Sequence, residues 1–299
     1  MRRPSIGAGA RVALVAPAGP LAGETDLERA MLNVRSFDWV PVRGQHALDR
    51  AGYLAGGDGD RLADLNDALA DDSIDAVWCL RGGYGVMRIL ETIDYAALRR
   101  RPKVILGYSD ITALHSAVTS RCELITFHGP TARATISDFS RESLARAITG
   151  RDSAGIADAA EVLHGGRARG RLVGGNLAIL SALSGTPYAP DYADAILVVE
   201  DVNEAVYRID RMLTQLRLAG AMQQCRAIVF GQFTDIPQES AEENPAARGL
   251  REVLREVAES VGVPCIAGAP IGHVTDQWTL PLGAPAELDA DARTLRILE

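Results

Sequence analysis

The feature that most constrains the fold of this chain is its alternation of short, wholly apolar runs with longer amphipathic ones. Val12–Ala16 (VALVA) has the length and composition of a buried strand, and Pro17-Ala18-Gly19-Pro20 closes it with a turn. Asp26–Val34 has helical spacing, and Asp60–Ala70 places Leu62, Leu65 and Leu69 on one helix face. Ala76–Leu80 and Val104–Leu106 read as further strands, with helices expected over Val86–Ile93 and Ile111–Thr119. Strands that are apolar on both faces and alternate with helices point to a parallel sheet covered by crossovers. The second half repeats the pattern. Helices are expected over Asn176–Leu183, Val206–Leu218 and Pro245–Val261, the last opened by a proline that a first turn tolerates. Strands are expected over Ala195–Val199, Ala227–Phe230 and Cys265–Ala267, with a closing pair within Ala286–Leu298. Regularity is lowest between Ala132 and Arg169, so the 299 residues divide into two α/β domains, 1–140 and 165–299, joined by 141–164.

Composition excludes several classes. At 47% hydrophobic and 23% charged residues, the chain is neither disordered nor fibrous. A formal net charge of −8 argues against nucleic acid, whose phosphates need clustered positive charge. The basic run Arg99–Lys103 precedes an apolar segment and reads as a solvated helix end. Cys79, Cys122, Cys225 and Cys265 lie apart among apolar neighbours, as buried free thiols do in a reducing compartment. Met1–Arg11 lacks a signal-peptide apolar stretch, and no window has the length of a membrane span, so a cytoplasmic location is expected. There is no HExxH and no His pair at i, i+4, and the phosphate loops GxGxxG and GxxxxGK[ST] are missing. No metal or other cofactor is expected.

Four places can carry chemistry. Gly107-Tyr108-Ser109-Asp110 joins a strand to a helix, where a serine is exposed above the sheet edge and helix-start N–H groups can hold an oxyanion. Ile111 stands where the second glycine of a GxSxG elbow belongs, and Ser109 or Asp110 can equally be a helix cap. Arg81-Gly82-Gly83-Tyr84-Gly85 is another strand-to-helix loop, suited to close substrate approach or to a plain tight turn. Glu200-Asp201 follows the strand AILVV, at the end where α/β proteins place their sites, and can also be a solvated strand end. His273 lies in a late glycine-containing loop and, by itself, can be purely structural. Together they give the order Ser…Glu…His, one known among hydrolytic triads.

Longer segments carry a resemblance. RGGYG, GYSDITALH, LVVEDVNEAVYRIDRMLTQLRLAG and GHVTDQWTLPLG resemble the signature segments of the LD-carboxypeptidases, the murein tetrapeptide carboxypeptidases. YLAGGDGDRLADLNDALADDSIDAVWCLRGGYG matches as well, and the similarity runs from about Val12 to the C-terminus, thinning around Arg133–Gly165. The resemblance implies a serine peptidase whose N-terminal parallel-sheet domain carries the nucleophile, Ser109, and whose smaller C-terminal α/β domain carries the acid and base, Glu200 and His273. It implies removal of the terminal D-alanine from murein tetrapeptides during cytoplasmic wall recycling, by a homodimer. Glu200 rather than Asp201 matches the motif position. The oxyanion is expected on the backbone N–H groups of Asp110 and Gly83, and Arg81 and Arg208 are candidate readers of the free α-carboxylate.

Two alternatives remain open at this level. Relatives with the same triad resemble microcin-C immunity peptidases, which cleave a peptidyl-nucleotide toxin, although VNEAVYRIDRM fits the wall-peptide branch better. A non-catalytic α/β ligand-binding module would use Ser109 only as a cap.

Overall fold

The computed structural model describes residues 1–237 and 248–298. Five strands make the parallel part of the first sheet: β1 (Arg11–Val15), β2 (Val40–Arg43), β3 (Ala76–Cys79), β4 (Val104–Gly107) and β5 (Thr126–His128). Their spatial order is β2-β1-β3-β4-β5. Crossovers α1 (Glu24–Arg35), α2 (Asp58–Ala70), α3 (Tyr95–Arg100) and α4 (Thr112–Cys122) return the chain between them. β3 and β4 are buried at every position, as strands covered on both faces must be.

Past α5 (Asp138–Ile148), the chain enters a second sheet of eight strands. These include β6 (Gly155–Ile156), β7 (Glu161–His164), β8 (Arg167–Asn176), β9 (Ala195–Val202), β10 (Ala227–Thr234) and β11 (Cys265–Ala267). β8 to β11 run parallel, and α6 (Leu177–Leu183), α7 (Val206–Leu218) and α8 (Leu250–Val261) connect them. β12 (Leu280–Leu282) then leaves this sheet and pairs antiparallel with β5, completing the first one. Finally β13 (Pro285–Asp289) and β14 (Thr294–Ile297) close the second sheet as an antiparallel pair.

Several expectations change. The segment 141–164, expected to join two domains, holds the rest of α5 and both β6 and β7, two members of the second sheet. Val86–Ile93 is not one helix but two 3-10 turns, Val86–Arg88 and Leu90–Thr92, because the chain is pinned at Val86 by a buried carboxylate described below. Within the basic run, Arg99 and Arg100 do end α3, but Lys103 is buried, its ammonium donating to the carbonyls of Asp71 and Ile74 at 2.6 Å each. Pro245, the expected opening of the last helix, lies outside the described residues, where α8 begins at Leu250. All four cysteines are free and buried. No helix among the described residues is long and apolar enough to cross a membrane.

Candidate active site

The carboxyl ends of β3 and β4 hold one half of the site. β4 ends at Gly107, and Ser109 opens a 3-10 turn, Ser109–Ile111, that runs into α4. Ser109 has φ 66°, a left-handed conformation that costs a β-carbon residue roughly 1–3 kcal/mol and persists only where the surrounding structure holds it. Beneath it lies Gly82. A β-carbon at 82 would fall 2.7 Å from Ser109 Cβ and 2.9 Å from its Oγ, so the RGGYG loop meets the serine through bare backbone. Neither Gly83 nor Asp110 donates its N–H to a loop or turn carbonyl among the described residues, which leaves both able to serve an oxyanion.

Buried charge holds this loop. Asp110 is 1% exposed, and its Oδ2 accepts from Val86 N at 2.9 Å. Burial pushes its carboxyl pKa up to about 6. From α2, the guanidinium of Arg61 reaches under both strand ends, donating to the carbonyls of Pro17 and Gly85, the latter at 3.0 Å, and to Asp58. Asp58 in turn receives a bidentate pair from Arg88, Nε to Oδ1 and Nη2 to Oδ2. Sequence reasoning missed Arg61, although a signal was there. The buried stripe of α2 is Arg61, Asp64, Leu65, Ala68 and Leu69, so an arginine stands at a helical-period position on the apolar face.

The other half comes from the second sheet. Glu200, at the carboxyl end of β9, has no exposed surface, and its Oε2 accepts from His273 Nδ1 at 2.8 Å. A carboxylate there fixes the Nδ1–H tautomer and leaves Nε2 as the basic nitrogen. Glu200 Oε1 is buried without a partner. Gly272 makes the approach possible. Its φ is 106°, and a β-carbon on it would fall 2.5 Å from Glu200 Oε2. Asp201 points elsewhere: its oxygens accept from Asn176 Nδ2, Val202 N and Ala178 N, tying β8 and β9 to the first turn of α6. Burial raises its pKa to about 6.

The two halves meet at Tyr108, whose ring centroid lies 4.7 Å from the His273 imidazole. Burial, then the charge of Glu200, raises the Tyr108 phenol pKa. The side chain of Ser109 makes no hydrogen bond among the described residues, so serine and histidine are neighbours through Tyr108 rather than bonded, as is common in unliganded sites. Arg81 stays beside the glycine loop and donates to Pro20 O at 2.6 Å. Arg208 sits on the first turn of α7 beyond β9, half-exposed and engaged with Tyr207 and Glu204 rather than with the serine or histidine. Behind the nucleophile turn, His115 bonds the Gly107 carbonyl at 2.8 Å and His128 is buried with both ring nitrogens unpartnered.

A serine on a left-handed strand-to-helix turn, near a histidine held by a buried acid, gives this two-sheet α/β protein the residue types that acyl transfer uses. The particular family follows from comparison: the chain belongs to the LD-carboxypeptidases, the family's N-terminal domain matching residues 12–129 and its C-terminal domain residues 169–288. The murein tetrapeptide carboxypeptidase of Pseudomonas aeruginosa is 38% identical over 297 residues, covering 94% of each chain. The crystal structure of muramoyltetrapeptide carboxypeptidase from Oxalobacter formigenes, 28% identical, superimposes with a TM-score of 0.85 over 96% of this chain and 98% of that one. The microcin C7 self-immunity protein MccF of Escherichia coli is 27% identical over 83% of this chain and 80% of its own.

Proposed function

We propose that this protein is a serine LD-carboxypeptidase that removes the C-terminal D-alanine from murein tetrapeptides, acting in the cytoplasm as a homodimer. The observation that carries the reading is the 2.8 Å hydrogen bond from His273 to the buried Glu200, brought beside the nucleophile turn. In this scheme, His273 Nε2 takes the Ser109 proton as Oγ attacks the scissile carbonyl, then delivers it to the departing D-alanine amine. Glu200 holds the tautomer and stabilises the imidazolium. The N–H groups of Asp110 and Gly83 receive the oxyanion, each worth about 3 kcal/mol in the barrier. Arg81, at the edge of the glycine loop, is better placed than the half-exposed Arg208 to read the substrate's free carboxylate.

The test is D-alanine release from tetrapeptides ending in L-Lys–D-Ala or diaminopimelate–D-Ala, by wild type and Ser109→Ala, with and without EDTA. Chelator-insensitive release that disappears in the variant is expected, and release surviving in the variant would remove Ser109 from the role. Cleavage of a peptidyl-nucleotide toxin alone would favour the microcin-type reading, which rests on the kinship with MccF. A serine left unmodified by an active-site-directed reagent would favour a non-catalytic binding module.

A further inference from the structure

Beside the glycine loop, between the carboxyl ends of β1 and β3 and the Arg50–Tyr53 segment, lies an open cleft of roughly 530 Å³. This is where the strand order of the first sheet reverses, the usual ligand position in an open α/β sheet. Two guanidiniums face it. Arg81 uses Nη1 on Pro20 O and Arg50 uses Nη2 on Leu21 O, at 2.6 and 2.7 Å, so one backbone segment aligns both while their remaining N–H groups stay unbonded among the described residues. Burial, then the positive charge of Arg133, lowers the Arg81 pKa; the Asp26 carboxylate opposes this and Arg50 adds to it. Asp26 pairs with Arg133 at 3.7 Å, whereas Arg50 and Arg81 make no carboxylate pair among the described residues and can take an anionic partner. Tyr53 and Tyr84, 69% and 46% exposed, pack edge to face with centroids 5.7 Å apart and form the apolar wall. Gly83 lines the cleft, and its neighbour Gly82 touches Ser109, so the cleft starts about one residue from the nucleophile.

We propose that this cleft is the carboxylate subsite of the substrate, with Arg50 and Arg81 gripping one carboxylate jointly and Tyr53 and Tyr84 packing the aliphatic chain that bears it. The assignment rests on the peptidase reading and adds Arg50 and the tyrosine wall to it. Paired guanidiniums select a planar, two-oxygen anion over a neutral amide. The test uses the Ser109→Ala protein, so that turnover does not interfere, and calorimetric titration with a tetrapeptide ending in D-alanine and with its C-terminal amide. The free acid is expected to bind at least about tenfold more tightly. Arg50→Gln, a change at an exposed position, is expected to erase most of that difference, whereas Tyr84→Ala weakens both peptides alike. A difference that survives Arg50→Gln, or no difference in the parent, overturns the subsite. D-alanine release by wild type with discrimination intact in Arg50→Gln would leave the peptidase standing and remove the subsite. Selective acid binding without any D-alanine release would do the reverse.

Discussion

Gly272 decides whether His273 reaches Glu200, since the imidazole folds back over the carboxylate only where no β-carbon intervenes. Gly272→Ala is therefore expected to push His273 away and lower kcat/KM for D-alanine release by about 100-fold, because misplacement by an ångström is costly in a preorganised site. Steady-state kinetics beside a thermal melt separates this from unfolding. An unchanged kcat/KM would mean that the loop relaxes around the methyl. Ser109 and Glu200 stand out in the sequence because they follow apolar strand runs, and His273 because it lies in a late glycine-containing loop. The match to the family motif singles out Glu200 over Asp201, but strand position alone does not say which of the two buried acids faces the histidine. Glu200 has the histidine, while Asp201 anchors the start of α6, and that choice is made by alternation along β9 and by the register of β8 beside it.

At the scale of elements, the glycine loop owes its position to α2, through Arg61. Arg61→Ala leaves two buried carbonyls short of donors and is expected to cost about 3 kcal/mol of stability. Arg61→Lys, which keeps the charge but cannot span both carbonyls, should fold and lower kcat more than it raises KM. Denaturant melts and kinetics on both variants check this, and a lysine variant with wild-type kcat would reduce Arg61 to scaffolding. Strands β1, β3, β4, β9 and β10 were readable as apolar runs because both their faces are covered. β8, RARGRLVGGN, was not: its first half is charged and partly exposed, its second is rich in glycine, and neither apolar run nor clean alternation survives. β5 is too short at three residues to rise above its turn-rich surroundings.

For the whole molecule, buried ionisable groups set the response to acid. Loss of hydration pushes the imidazoles of His115 and His128 down to about 4 and about 3. The unfolded chain takes up these protons below about pH 6.5 while the fold does not, so this contribution is present above that pH and is lost as pH falls towards 4. Asp110 and Asp201, raised to about 6, act oppositely: the folded state is protonated first, which favours it as pH falls from 6 towards about 4. Across that window these two pairs oppose one another. His128→Gln removes one acid-sensitive group, so its melting midpoint, referred to its own value at pH 7, is expected to rise above the wild-type curve on acidification. Parallel curves from pH 7 to pH 4 would refute this. The placement of β12 also has a consequence for biosynthesis. Leu280 lies 152 residues after His128, its partner on β5. At roughly 5–20 residues per second, a chain emerging from the ribosome displays a bare β5 edge for about 8 to 30 seconds before its own tail arrives to cover it. The nascent first sheet is thus open to pairing with a neighbouring copy on the same messenger, and its safety depends on how promptly translation reaches the end.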